Sequence, residues 1–225
     1  MIAHAIGDVL PIAVAVAISP VAIITGVVLL LSEHGRGKAA LFAIGWVVTL
    51  LIVTGVAVAI TDVAEEDEPT ATEHGVQVFT LVLGLFFLFL AVMSWRNRPA
   101  PGEPAKEAKL LARVTAMSGL AVLALGLIEG IAIVKNVPLS LGAGARIAED
   151  TQRGASAWVV LVIYVLIASI GILLPLLIAV VGGHRLDPAL SNFRQWLEDN
   201  ISPITIITLL VVGAYFVGKG LAIFS

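Results

Sequence analysis

The chain has no cysteine among its 225 residues, so a disulfide framework, a thiol redox relay and a thiolate metal site are excluded together. Charge is scarce too: Asp, Glu, Lys and Arg make up 13% of the residues, and long stretches carry none. No Walker motif, HExxH, GxSxG or dinucleotide fingerprint occurs, so this chain supplies no energy from bound nucleotide and no enzymatic activity is expected. His4, His34, His74 and His184 fall at the terminus or in expected loops, with no spacing suited to a shared metal. Neither a metal nor a cofactor is expected.

What is present is apolar: 59% of the residues are hydrophobic, too many for a soluble domain of this size to cover with polar surface. Uncharged runs occupy residues 9–32, 39–61, 75–95, 114–128, 154–183 and 200–218. About 20 apolar residues cross the roughly 30 Å hydrocarbon core as a helix, and all but the short fourth run reach or approach that length. The expectation is an all-α integral membrane protein with six spans. The N-terminus lacks the basic segment of a secretory signal, carries Asp8 early and stays apolar through Leu31, so it reads as the first span.

The remaining charges are unevenly placed. Arg36 and Lys38, then Arg96, Arg98, Lys106, Lys109 and Arg113, then Arg185 and Arg194 put nine of the 13 basic residues in the first, third and fifth loops. The second loop, residues 62–74, has none and instead carries Asp62, Glu65, Glu66, Asp67, Glu68 and Glu73. By the positive-inside rule both termini lie on the extracytoplasmic side. The acidic loop lacks the alternating ligands and central glycine of an EF-hand, so a solvated charged face is favoured over calcium binding.

The two halves repeat one order: a proline, small and apolar residues, a short polar turn ending in Arg-Gly, then a new apolar run. Ser19-Pro20 opens it in the first half and Val137-Pro138 in the second, with 17 residues from Pro20 to Gly37 and 16 from Pro138 to Gly154. An odd number of spans per copy turns the second copy upside down, which gives a 3+3 inverted repeat. The division expected is 1–95 for the first three-helix repeat, 96–113 for a cytoplasmic linker and 114–225 for the second repeat. Pro99, Pro101 and Pro104 forbid a continuous helix early in the linker, which leaves room for one short surface helix. In the fifth loop, Asp187 as N-cap, Pro188 at the first helical position and a stripe of Leu190, Phe193 and Leu197 read as a helix along the interface or an ordinary amphipathic connector.

Pro20 and Pro138 would free the carbonyls of Val16 and Val134, and a freed carbonyl in lipid needs protein, water or substrate to satisfy it. The leading element of each half is also too long for one span. A break at each proline accounts for the excess, leaving two half-helices or a span with a re-entrant piece; a simple kink is the alternative. Glu129 and Lys135 are the only ionisable residues well inside a predicted span, which marks them as functional candidates. Six residues apart on an ideal helix they point about 240° apart, so pairing requires a break near Asn136. Glu129 sits about 22 Å along its helix from Val114, and Lys135 would reach the outer interface, where snorkelling is the plain explanation. Asp8 and Lys219 fall near the outer ends of the first and last spans. Gly26, Gly45, Gly126, Gly130 and Gly213 would allow close helix packing.

These features resemble the LysE superfamily of small exporters, and within it the actinobacterial GAP family, which includes sulfolipid-addressing and peptidoglycolipid-addressing proteins. The resemblance rests on Ile18-Ser19-Pro20 with LLLSEHGRGKAALFAIGW, and on Lys135-Asn136-Val137-Pro138-Leu139 with LGAGARIAED. Where the family shows Asn-Pro before that Lys-Asn, this chain has Ile133 and Val134. The resemblance implies a bacterial plasma-membrane transporter that exports or flips a lipid or glycolipid envelope component, working among membrane lipids and alongside other envelope-export proteins. Nucleic acid is not an expected partner, and homo-oligomerisation stays open. On that reading Pro20 and Pro138 break their helices, Asn136 and Ser19 offer hydrogen bonds, and Glu129 with Lys135 supplies charge for a head group or for proton coupling. The alternatives are an exporter of small solutes such as amino acids and a non-transporting scaffold for envelope export.

Overall fold

The structure, a computed structural model, describes residues 2–67, 69–98, 114–151 and 155–221, and over these it is helical with no strand. The short linker helix expected within 99–113 lies outside the described residues. In chain order the helices are α1 (Ile2–Ala17), α2 (Pro20–Leu30), α3 (Gly35–Asp67), α4 (Pro69–Arg96), α5 (Gly119–Ala132), α6 (Asn136–Thr151), α7 (Ala155–Ala168), α8 (Ile170–Gly182) and α9 (Asp187–Gly220), with a 3₁₀ turn at Gly183–Leu186.

Three helices are long and apolar enough to cross a membrane alone: Gly35–Thr61 of α3, Gln77–Arg96 of α4 and all of α9. The other six pair across short breaks, α1 with α2 at 57°, α5 with α6 at 72° and α7 with α8 at 65°, and each pair meets the same test as one bent span. The chain is a multi-pass membrane protein. Large apolar side chains stay exposed along its helices, among them Phe89, Leu120, Val181 and Val211, as a lipid-facing surface requires.

The expected acidic loop is helical: α3 runs on to Asp67 and α4 starts at Pro69. The expected interfacial helix is not separate either. Asp187–Gly220 is one helix of 34 residues with Pro203 inside it, and Leu190 and Leu197 of the predicted stripe are buried against α2 and α8. Packing inside the protein takes up these two leucines, while Phe193 of the same stripe stays exposed. At 1.5 Å per residue α9 rises about 51 Å, so one end extends well past a hydrocarbon core of roughly 30 Å.

Most buried side chains form one core, with Phe42, Trp46, Phe87, Leu139, Tyr164 and Phe216 among its largest members. Glycines let its helices approach. At Gly45 and Gly126 a Cβ would run into the backbone of the facing helix, Leu127 N and Phe42 C lying 2.9 and 3.1 Å from the two positions, and Gly130 and Gly213 are similarly crowded. Gly26 is the exception, with only ordinary contacts. Ile23, Ile24, Val27 and Val28 of α2 join Ala179, Leu190 and Leu197 in a second, smaller cluster.

The end of the bundle holding the Leu31–His34 turn and Gly183–Leu186 brings Arg36 beside Gly183 and is called the basic end below. At the opposite end Lys219 Nζ meets Asp8 Oδ2 at 2.8 Å, so the two charges singled out near the first and last spans do pair. Tyr215 donates to the Asp8 carbonyl at 2.8 Å, and Arg146 contacts Glu149 at 2.9 Å and Thr80 at 3.2 Å.

Candidate functional site

The break after α1 sets the site. Pro20 has no N–H and is the first residue of α2, so the carbonyl of Val16 loses the donor that a continuous helix would give it. Ser19 takes that place: its Oγ donates to Val16 O at 2.9 Å. This leaves α2 without a side-chain cap at its start. The neighbouring carbonyls of α1 are also answered, Val14 O by Ile18 N at 3.0 Å and Ala15 O by the Lys135 ammonium. Ala17 O faces Gly171, where a Cβ would collide with it.

Lys135 is thus 5% exposed and does not snorkel to an interface as expected. It caps the C-terminal end of α1, where orphan carbonyls and the negative end of the helix dipole favour a cation. This brings the break between α5 and α6 onto the break between α1 and α2. The third break, at Ser169, joins them through Gly171.

Pro138 plays a different part from Pro20. Helix α5 ends where Ile133 turns extended, at φ −70° and ψ 106°, and α6 starts at Asn136, which puts Pro138 in its first turn. There a missing N–H costs nothing, because the first turn has no carbonyl to receive it. The interruption itself falls at Ile133–Lys135.

Glu129 occupies the last turn of α5. Its Oε1 accepts from Thr25 Oγ1 of α2 at 2.9 Å, while Oε2 is buried with no partner among the described residues. Asn136 is fully buried, and neither its amide oxygen nor its amide nitrogen has a partner among the described residues. Ser169 Oγ is in the same state. Buried polar groups without partners are rare because each costs about 1–3 kcal/mol. Despite the break that would permit it, Glu129 and Lys135 do not pair; each is bonded to the first half of the chain instead. Sequence reasoning did not find Thr25 or Ser169, since a lone hydroxyl in an apolar run carries no signal of its own.

Past the third break, Ile170, Leu173, Leu174, Leu176, Leu177 and Val180 line an apolar groove of about 560 Å³ on α8. At the opposite end, ligand atoms of His4, Asp8 and Asp150 lie within 4.8 Å of one another, a grouping that sequence spacing did not reveal. Asp8 there is already engaged by Lys219.

Broken helices that meet inside an apolar bundle, with unpartnered polar groups at the junction, define a class: a multi-pass membrane protein with a built polar site at its breaks. The family described as Sap, sulfolipid-1-addressing protein, matches residues 9–222. The chain belongs to that family. No curated protein and no solved structure gives a significant match.

Proposed function

We propose that the protein exports or flips a lipid or glycolipid envelope component across the plasma membrane, with the convergence of its three helix breaks as the cargo site. The observation that carries this reading is that Asn136 and Glu129 Oε2, on either side of the break between α5 and α6, are buried without a partner among the described residues. Polar groups left unsatisfied at a helix junction inside an apolar bundle are what a transported head group would engage. Within this site Ser19 and Lys135 hold the broken backbone, Asn136 binds the head group, and Glu129 supplies the coupling charge. Family membership supports a role in addressing lipid to the envelope.

The halves are proposed to be inverted copies, with both termini extracytoplasmic and the basic end cytoplasmic. In support, α1 packs on α7 as α5 packs on α3, while α4 and α9 pack on each other. An all-apolar groove that starts one residue beyond Ser169 favours a cargo with hydrocarbon chains over a small polar solute such as an amino acid. Membrane lipids would be its surroundings and other envelope-export proteins its companions.

The test is comparative lipidomics of cell-surface extracts from cells with the protein, without it, and with Glu129→Gln or Asn136→Leu. Loss of one lipid class from the surface in all three deficient strains is expected. An unchanged surface profile in cells without the protein refutes the proposal.

A further inference from the structure

Where the two hydrophobic clusters divide, the chain is interrupted. Helix α2 faces both: Ala22 and Leu29 point into the main core, while Ile23, Ile24, Val27 and Val28 belong to the second cluster. In α8, Ile172 lies in the main core and Ala179 in the second cluster, with Pro175 between them. In α9, Leu190, Leu197, Ile201 and Ile204 pack on the second cluster, whereas Leu209, Val212 and Phe216 pack in the main core. Pro203 sits at that division and removes the hydrogen bond to the Asp199 carbonyl. The chain joins this unit to the rest at four places, and each is interrupted: the 57° break at Ile18–Ser19, the turn Leu31–His34 between α2 and α3, the 65° break at Ser169 followed by Pro175, and Pro203.

The unit beyond these points comprises α2, the end of α8, the turn Gly183–Leu186 and the start of α9. It packs on the rest through apolar side chains, which resist sliding weakly. A directional polar contact ties α2 to the site, the bond from Thr25 Oγ1 to Glu129 Oε1. In an apolar surround such a bond is directional and has no water to replace it.

We infer that the basic-end unit is a hinged flap and that Thr25 is the positioning residue that latches it to Glu129. The inference rests on the cargo site proposed above. A cargo group that takes up Glu129 removes the acceptor from Thr25 and frees the flap to swing away from the last turn of α5. Few-residue hinges at element ends that let one packed unit turn on another are a recurring route to domain opening.

The absence of native cysteine allows a direct test by paired spin labels. Ser191→Cys on the flap with Val92→Cys on α4 reports the hinge, and Val78→Cys with Val211→Cys reports the main body; all four positions are exposed. In purified protein in lipid nanodiscs, Thr25→Val is expected to raise the displaced population of the first pair roughly three- to tenfold, the factor set by one lost hydrogen bond. Thr25→Ser, which keeps the hydroxyl, is expected to restore the parent distribution, and the second pair stays fixed throughout. An unchanged 92–191 distribution in Thr25→Val, or equal changes in both pairs, overturns the latch. Because these distances need no cargo, their failure is separate from an unchanged lipid profile, which bears on the export reading alone.

Discussion

At the residue scale, the polar groups at the breaks fall into two kinds, and stability measurements separate them. Ser19 has its hydroxyl committed to Val16 O, so Ser19→Ala leaves a buried carbonyl without a donor and should cost about 1–3 kcal/mol. The readout is a lower Tm of the purified protein, and Ser19→Thr should recover most of it. Asn136 has both amide atoms unsatisfied, so Asn136→Leu, which is close to it in size, should leave the Tm unchanged or raise it while abolishing export. A Tm loss as large as that of Ser19→Ala would mean that Asn136 holds the fold. Much of this was legible from residue type: Glu129, Lys135, Asn136 and Ser19 stand out as polar residues in an apolar chain, and the freed carbonyl of Val16 follows from Pro20 alone. The partners were not legible. Lys135 bonds a carbonyl 120 residues earlier in the chain and Thr25 an acid 104 residues later, distances over which local periodicity carries nothing.

At the scale of elements, proline and excess length located the first break, and excess length called for the second, which falls at Ile133–Lys135 and not at Pro138; the same reasoning underused the run 154–183. Its 30 residues also exceed one span, and a break at Ser169 divides it into α7 and α8, with Pro175 inside α8. The helix from Asp187 was misjudged for a different reason: its charges set the fifth loop apart from the apolar run 200–218, but α9 runs unbroken through both and through Pro203. The α3–α5 contact is the firmest of these pairings to probe. A Cβ at Gly126 would strike the Phe42 carbonyl, which is backbone and cannot turn aside, so overpacking should cost about 1–3 kcal/mol or more. Gly126→Ala is expected to lower the Tm clearly, in line with a loss of that size. Gly26→Ala, where only side chains stand 3.8 and 4.0 Å away, should change it little, and equal losses at both positions would contradict the packing described here.

At the scale of the whole molecule, the chain is closed on itself at the end opposite the flap. Asp8 lies in the first helix and Lys219 in the last, their side chains are 18% and 17% exposed, and Tyr215 reinforces the contact through the Asp8 carbonyl. If the basic end opens by hinge motion, this end has to hold, because α1 and α9 are both continuous with parts of the moving unit. The charge pair is therefore expected to act as the closed side of the molecule, and its coupling can be measured by a double-mutant cycle. Asp8→Asn and Lys219→Met should each lower the Tm, and the double variant should lose less than the sum of the two. The coupling should be about 1 kcal/mol, the upper range for a partly shielded ion pair. Strict additivity would mean that the first and last helices are held by packing alone. In that case opening at the two ends of the bundle would no longer be distinguished by an electrostatic tie, and the second-cluster hinge would have to work against apolar contacts only.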